Sequence, residues 1–207
     1  MYARVLRVTG DPAKVDDGIE SYTSRVAPAL KEQDGYAGAR LLTNRETGAG
    51  MSITFWQDEQ TLRASESALA AIRGETMTRF GADNPAPENY EVVVQHRPQP
   101  TEAGNFVRIS TLDGDPAKVD SAIRHFESEV VPAVSRLSGA RAAVLLVDRA
   151  SGKALVATVW GTKEDVEASA DEAKSIAAKA MEVSGASNRQ VDSYEVVFAE
   201  LLAPVGR

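Results

Sequence analysis

The sequence predicts an α+β protein of two ferredoxin-like βαββαβ units, with antiparallel sheets packed face to face as an intrachain α/β barrel. Three observations predict it. The string Gly10-Asp-Pro-Ala-Lys-Val-Asp16 recurs letter for letter as Gly114-Asp-Pro-Ala-Lys-Val-Asp120, and the same offset, 114 − 10 = 104, pairs Trp56 with Trp160, Gly35 with Gly139 and Met77 with Met181. Within each copy, period-two strand patterns and period-3.6 helix patterns follow one another in the order βαββαβ. Strands such as Met51–Trp56 and Leu155–Trp160 carry apolar groups on both parities, so the sheet face away from the helices also needs cover, and the matching face of the other copy supplies it.

Taken in order, Ala3–Thr9 alternates and reads as the first strand. Asp11 is an N-cap with Pro12 at the first helical position, where a missing N–H costs nothing. Val15, Ile19, Tyr22, Val26 and Leu30 form one apolar stripe, which predicts a helix to about Gln33 that Pro28 kinks or loosens and Gly35 ends. Ala39–Asn44 and Gly50–Gln57 flank a short turn-rich link and predict a hairpin. Asp58 caps a second helix through roughly Phe80, with Gly74 as a break. Gly81–Glu88 reads as loop, Asn89–Gln95 as the fourth strand and Arg97–Gly104 as a linker. The second copy repeats this: strand Phe106–Leu112, helix Asp115–Leu137, hairpin Ala142–Val147 with Ala154–Trp160, a helix from Thr162 to about Val183 opened by a Thr162/Asp165 capping box, and strand Ser193–Leu201. The expected domains are residues 1–96, a linker at 97–104, and 105–207.

Composition narrows the function classes. A net charge of −7 with no basic stripe argues against a nucleic-acid surface. The chain has no cysteine, which removes disulfides, thiolate nucleophiles and zinc–thiolate sites together. No apolar run approaches a membrane span and no secretory signal is read at the start, so the expected setting is cytoplasmic, away from membranes. Gly38, Gly48 and Gly50 are turn glycines without a nucleotide fingerprint, and no Ser–His–Asp or paired-carboxylate motif stands out. Two isolated histidines, His96 and His125, lack carboxylates at ligand spacing, so no metal site is expected.

One stretch carries a resemblance. Val26-Ala-Pro-Ala-Leu-Lys-Glu-Gln-Asp-Gly-Tyr-Ala-Gly-Ala-Arg-Leu-Leu42, followed by Ser52-Ile-Thr-Phe-Trp56, is similar to the antibiotic biosynthesis monooxygenase-like domain of the dimeric α/β-barrel superfamily. The second copy shows Val130-Val-Pro-Ala-Val134, Gly139, Leu145-Leu146 and Thr158-Val-Trp160. The resemblance implies small oxygenases, isomerases or haem degraders, usually homodimers, with a pocket between sheet and helices. Cofactor-independent members use an activated aromatic substrate that itself reduces O₂. The haem-degrading relatives place a histidine on the second helix, and neither Asp58–Phe80 nor Thr162–Val183 contains one. No cofactor is therefore expected, and the partner is a small hydrophobic or aromatic ligand.

Differences between the copies select the candidate binding residues. Tyr22, Tyr36, Arg40 and Phe80 stand where the second copy has Phe126, Ala140, Val144 and Ser184, and His125 stands opposite Ser21. On the enzyme reading the first unit binds the ligand, with Trp56, Tyr22 and Phe80 as walls and Tyr36 or Arg40 as polar anchors beside an anionic oxygen. Trp56 equally fits a core position, and Arg4, which can pair with Glu91 on an adjacent strand, fits a structural one. The competing reading is a non-catalytic binding module or a structural pseudo-dimer whose pockets are filled by their own side chains. A pocket of about 300 Å³ or more with convergent polar groups separates the two. The intrachain pair leaves further homo-oligomerisation open.

Overall fold

The computed structural model describes residues 1–83 and 86–202. Parts of two expected segments therefore lie outside the described residues: 84 and 85 of the loop, and 203–207 of the second domain. Eight strands are hydrogen-bonded in the order β1-β3-β2-β8-β5-β7-β6-β4 as a closed antiparallel barrel, the α+β architecture expected. In chain order they are β1 (Tyr2–Thr9), β2 (Tyr36–Asn44), β3 (Ala49–Trp56), β4 (Glu88–His96), β5 (Phe106–Asp113), β6 (Ala140–Val147), β7 (Lys153–Trp160) and β8 (Asn188–Leu201). Two compact units emerge, one of Met1–Asn89 with the stretch from Val196 onward, the other of Tyr90–Glu195. Among the described residues no helix is long and apolar enough to cross a membrane.

In the first unit β1 pairs antiparallel with β3 from Tyr2↔Trp56 to Thr9↔Ala49, and β2 pairs with the other edge of β3. A bulge between Tyr36 and Gly38 interrupts the second ladder. Gly38 sits there at φ 143°, where a Cβ would come 2.5 Å from the Glu200 carbonyl oxygen, so both conformation and space demand glycine.

The first helical run opens with a 3₁₀ turn, Pro12–Lys14, capped by the Asp11 carboxylate accepting from the Ala13 N–H at 2.9 Å. It continues as α1 (Val15–Ser21), a π-helical turn at Tyr22–Val26, and α2 (Ala27–Lys31). The kink or loosening expected of the last turn at Pro28 takes the form of this π turn ahead of the proline, in which the Ala27 N–H bonds to the Tyr22 carbonyl. A proline collides with the carbonyl four residues earlier, and a turn widened by one residue relieves that collision without ending the helix. The other unit does the same, with π turn Phe126–Val130 ahead of Pro132 between α4 (Val119–His125) and α5 (Val131–Ser135).

Helix α3 (Glu59–Phe80) runs unbroken through Gly74, correcting the expected break; its N-cap Asp58 accepts from the Thr61 N–H at 2.8 Å and Gly81 ends it at φ 68°. Glycine costs a helix about 1 kcal/mol, and the packing of α3 on α1, β1 and β3 outweighs that. The matching helix of the second unit is divided at Ser169 into α6 (Lys163–Ala168) and α7 (Ala170–Ser184), and Thr162 with Asp165 forms the expected capping box.

One polar device is repeated in both units. Arg4 on β1 donates from Nη1 to Ser65 Oγ (3.1 Å) and from Nη2 to the Leu62 carbonyl, while its guanidinium lies 5.7 Å from the Trp56 ring centre. Trp56 Nε1 donates to Thr54 Oγ1 at 3.0 Å. Arg108 donates likewise to Ser169 Oγ and the Val166 carbonyl and lies 5.4 Å over Trp160, whose Nε1 donates to Thr158 Oγ1 at 3.0 Å. Each arginine thus ties its first strand to the long helix across a wholly buried tryptophan. The expected Arg4–Glu91 pairing does not form: Arg4 faces Glu66 at 3.2 Å, and Glu91 pairs with Arg149. The carboxylate that reaches Arg4 comes from the helix and not from a neighbouring strand.

Candidate functional site

In the first unit a cleft lies between the sheet and the helices, lined by β1, β2 and β3 on one side and by α1, the π turn and α3 on the other. Its inner void is about 90 Å³, and the whole cleft, counting space open to solvent, about 860 Å³. The walls are mostly apolar, Leu6, Leu42, Met51, Leu69 and Met77 among them.

Tyr22 supplies the main polar feature. It is 4% exposed and its hydroxyl accepts from Ser52 Oγ at 3.3 Å, leaving its own proton for another acceptor. Burial pushes its phenol up to about 12; nearby Glu200 adds to that, and the Ser52 bond and Arg40 oppose it. At neutral pH the group is a donor and not a base. Deeper polar lining comes from Arg4, Thr54, Thr76 and Arg73. Glu66 receives Arg73 at 2.6 Å and faces Arg4, and chiefly the Arg73 hydrogen bond holds its carboxyl below the usual range. Burial pushes the Arg4 guanidinium down, against the pull of Glu66.

Phe80 closes one end of the cleft in a slot of glycines. A Cβ on Gly10 would meet the Phe80 ring at 2.9 Å, and one on Gly18 at 3.2 Å. The second unit has Ala122, Ala154 and Ser184 where the first has Gly18, Gly50 and Phe80. Large ring with glycines, or small serine with alanines: the two fillings are alternative solutions to one volume.

The five sequence-selected residues separate into two groups. Tyr22 and Phe80 line the cleft. Tyr36, Arg40 and Trp56 do not appear in its lining; they gather beside it around Glu200 and the core. Trp56 is fully buried and meets the edge of Tyr36 at 6.0 Å between ring centres. The Tyr36 hydroxyl donates to Glu200 Oε2 at 3.2 Å, and Lys31 reaches Glu200 Oε1 at 2.7 Å. Burial, reinforced by Tyr22 and Glu200, drives the Tyr36 phenol pKa upward. Arg40 is 8% exposed and donates to the carbonyls of Ala39 (2.9 Å) and Glu200, with its guanidinium 6.0 Å from the Phe55 ring centre.

Ser52 and Arg73 are not among the residues the sequence selects, although the comparison that selects Tyr22 reaches them: Val156 and Ala177 stand at their positions in the second copy. His125 is half-buried at a cleft of the second unit, and His96 lies 3.2 Å from Ser135 Oγ. Among the described residues no group of three or more His, Asp or Glu side chains stands ready to hold a metal ion.

Residues 1–72 match the family described as Antibiotic biosynthesis monooxygenase. An uncharacterised protein of Mycobacterium tuberculosis, Rv2557, is 28% identical over 204 residues, which cover 99% of this chain and 91% of that protein. A second from the same organism, Rv2558, is 28% identical over 205 residues, 99% and 86% of the two chains. Among solved structures, a candidate monooxygenase from Lactobacillus acidophilus superposes with a TM-score of 0.71 at 9% identity over 97% of this chain and 95% of its own. An anthrone oxidase-like protein superposes with a TM-score of 0.67 at 19% identity over 97% and 93%. At such identities the superpositions establish the fold alone. The first 72 residues thus match the antibiotic biosynthesis monooxygenase family, in a chain that shares its fold with monooxygenase-like proteins.

Proposed function

We propose that the first unit is a cofactor-independent oxygenase acting on a small aromatic or polyketide-like molecule with an acidic ring C–H. The observation that carries this reading is the pairing of the Tyr22 and Ser52 hydroxyls in a mostly apolar cleft, at positions the second unit fills with Phe126 and Val156. The substrate gives up its acidic ring proton to bulk water and binds as the enolate, which is electron-rich at the carbon that reacts with O₂, and the neutral Tyr22 phenol stabilises that enolate by donating to its oxygen. Apolar walls exclude water from that carbanion equivalent. For an anthrone-type substrate the ring CH₂ becomes C=O: one oxygen atom enters the product, the other leaves as water with the two methylene hydrogens, and the substrate supplies all the electrons. The family match over residues 1–72 and the fold shared with an anthrone oxidase-like protein support this reading.

Anthrone is the probe. Oxygen uptake with formation of anthraquinone above the spontaneous rate, reduced about 10- to 100-fold by Tyr22→Phe in a protein that still folds, is the expected result. Spontaneous-rate oxidation alone would end the oxygenase reading. A second reading, a non-catalytic binding or structural module, draws on the inner void of about 90 Å³, well under the roughly 300 Å³ usual for a ligand pocket. Saturable anthrone binding without oxygen uptake selects a binder, and no binding selects the structural module.

A further inference from the structure

The second unit contains a cleft of its own, between sheet and helices, with an inner void of about 60 Å³ and about 570 Å³ in all when space open to solvent is counted. Its walls include Leu112, Phe126, Val130, Leu137 and Ile176. Two arginines also line it, Arg108 from β5 and Arg189 from β8.

Their charge balance is the reverse of that in the first unit. There Arg4 has Glu66 beside it, and Glu66 is shared with Arg73. The residue at the place of Glu66 in the second copy is Ala170, and that at the place of Arg73 is Ala177. Neither Arg108 nor Arg189 is in a salt bridge among the described residues, and the field of Arg189 adds to burial in pushing the Arg108 guanidinium down. Arg108 is 7% exposed, and its Nη1 is sealed from solvent without a hydrogen-bond partner. Arg189 Nε is likewise sealed and unpartnered, while its Nη2 donates to Ser110 Oγ at 3.1 Å. A buried guanidinium with an idle N–H is costly, and the half-buried Arg189 beside it, with no counter-charge for either, adds to that cost. Ser110 stands where the first unit has Leu6, so this wall has gained a hydroxyl as well as a cation.

We infer that the second unit binds a small organic carboxylate, its anionic head against the Arg108 and Arg189 guanidiniums that line the cleft and its apolar body along Phe126, Val130 and Ile176. A carboxylate supplies the negative charge that the two neighbouring cations lack and a planar pair of acceptor oxygens that a guanidinium can hold. The apolar walls disfavour inorganic phosphate as the occupant, because a four-oxygen anion with no apolar body leaves them unfilled. This site does not rest on the oxygenase reading of the first unit and stands or falls separately from it.

Calorimetric titration of the full chain with hexanoate and benzoate tests it, with hexanamide, benzamide and inorganic phosphate as comparisons. The acids should saturate one site per chain, and the amides and phosphate should bind at least about tenfold more weakly. Arg189→Met should weaken the acids about tenfold or more, with exposed Arg63→Met as a charge control that changes nothing. Arg189→Met should also raise the melting temperature of the free protein, since it removes a half-buried cation that has no salt-bridge partner, and benzoate should narrow that difference by stabilising only the parent. Equal binding of acid and amide, phosphate binding as tight as benzoate, acid affinity unchanged by Arg189→Met, or no saturable binding of either acid would each overturn the inference. So would a melting temperature lowered by Arg189→Met, which would make Arg189 a structural contact of Ser110.

Discussion

Phe80 and Gly18 should be energetically coupled, and the size of the coupling follows from their contact. Phe80 is 7% exposed, so Phe80→Ser removes a buried ring and should cost about 3–5 kcal/mol. The new hydroxyl has a ready acceptor by analogy with Ser184, whose Oγ donates to the Met181 carbonyl at 3.2 Å. Gly18→Ala alone brings two opposing effects. A helix-interior alanine is worth about 0.5–1 kcal/mol over glycine, and the backbone there is not left-handed. Against this, the new Cβ lies 3.2 Å from the Phe80 ring, an overpacked contact of the kind that costs about 1–3 kcal/mol. The single change should therefore be neutral to destabilising by about 2 kcal/mol. In the Phe80→Ser background the clash is gone and the methyl fills part of the void, so the same alanine should stabilise by about 1 kcal/mol or more. Urea unfolding of the four proteins, followed by tryptophan fluorescence, closes the cycle. An interaction energy of about 1–3 kcal/mol is expected. Single-mutant costs that add within about 0.5 kcal/mol would refute the view that glycines and ring are a matched pair.

Trp56→Ala should cost about 3–5 kcal/mol, since it empties a fully buried site and strands Thr54 Oγ1; a loss under about 1 kcal/mol in urea unfolding would remove Trp56 from the core. Arg40→Ala should cost about 1–3 kcal/mol by leaving the Ala39 and Glu200 carbonyls without that donor, and an unchanged unfolding midpoint would contradict this. Tyr22 is raised from 10.0 to about 12, so the folded chain holds its proton more tightly than the unfolded one. Its contribution is fully present below pH 10 and is lost as pH rises through 12. The stability advantage of the parent over Tyr22→Phe should accordingly shrink by about 2–3 kcal/mol between those values, and a pH-independent difference would show Tyr22 to be solvated.

Much of the fold could be read from the chain because its signals are local and doubled. The Asp11-Pro12 start, the Asp58 and Thr162 caps and the glycine ends at Gly81 and Gly185 act within one turn, and each half checks the other. Packing overrides local preference at Gly74, which lies in a helix held by tertiary contacts, and the loosening at Pro28 takes the form of a widened turn that no propensity scale marks. The site was read less well. Substitution between copies selects Tyr22 and Phe80, which line the cleft, together with Tyr36 and Arg40, which do not, because it cannot distinguish a side chain at the cleft from one packed beside it. Arg4 was assigned a strand neighbour as its counter-charge because parity constrains adjacent strands, whereas Glu66 arrives from a helix whose rotation about its axis no strand pattern encodes.

The widened turn at Tyr22–Val26 has an evolutionary consequence. An inserted residue shifts the angular phase of everything beyond it by about 100°, the step per residue of a helix turn. Point substitution changes what a position presents but not this phase, so the wedge between Val15 and Leu30 is inherited as a matter of chain length. Excising Thr23 would swing the Val15 and Leu30 stripes out of alignment even though no cleft-lining group had been altered.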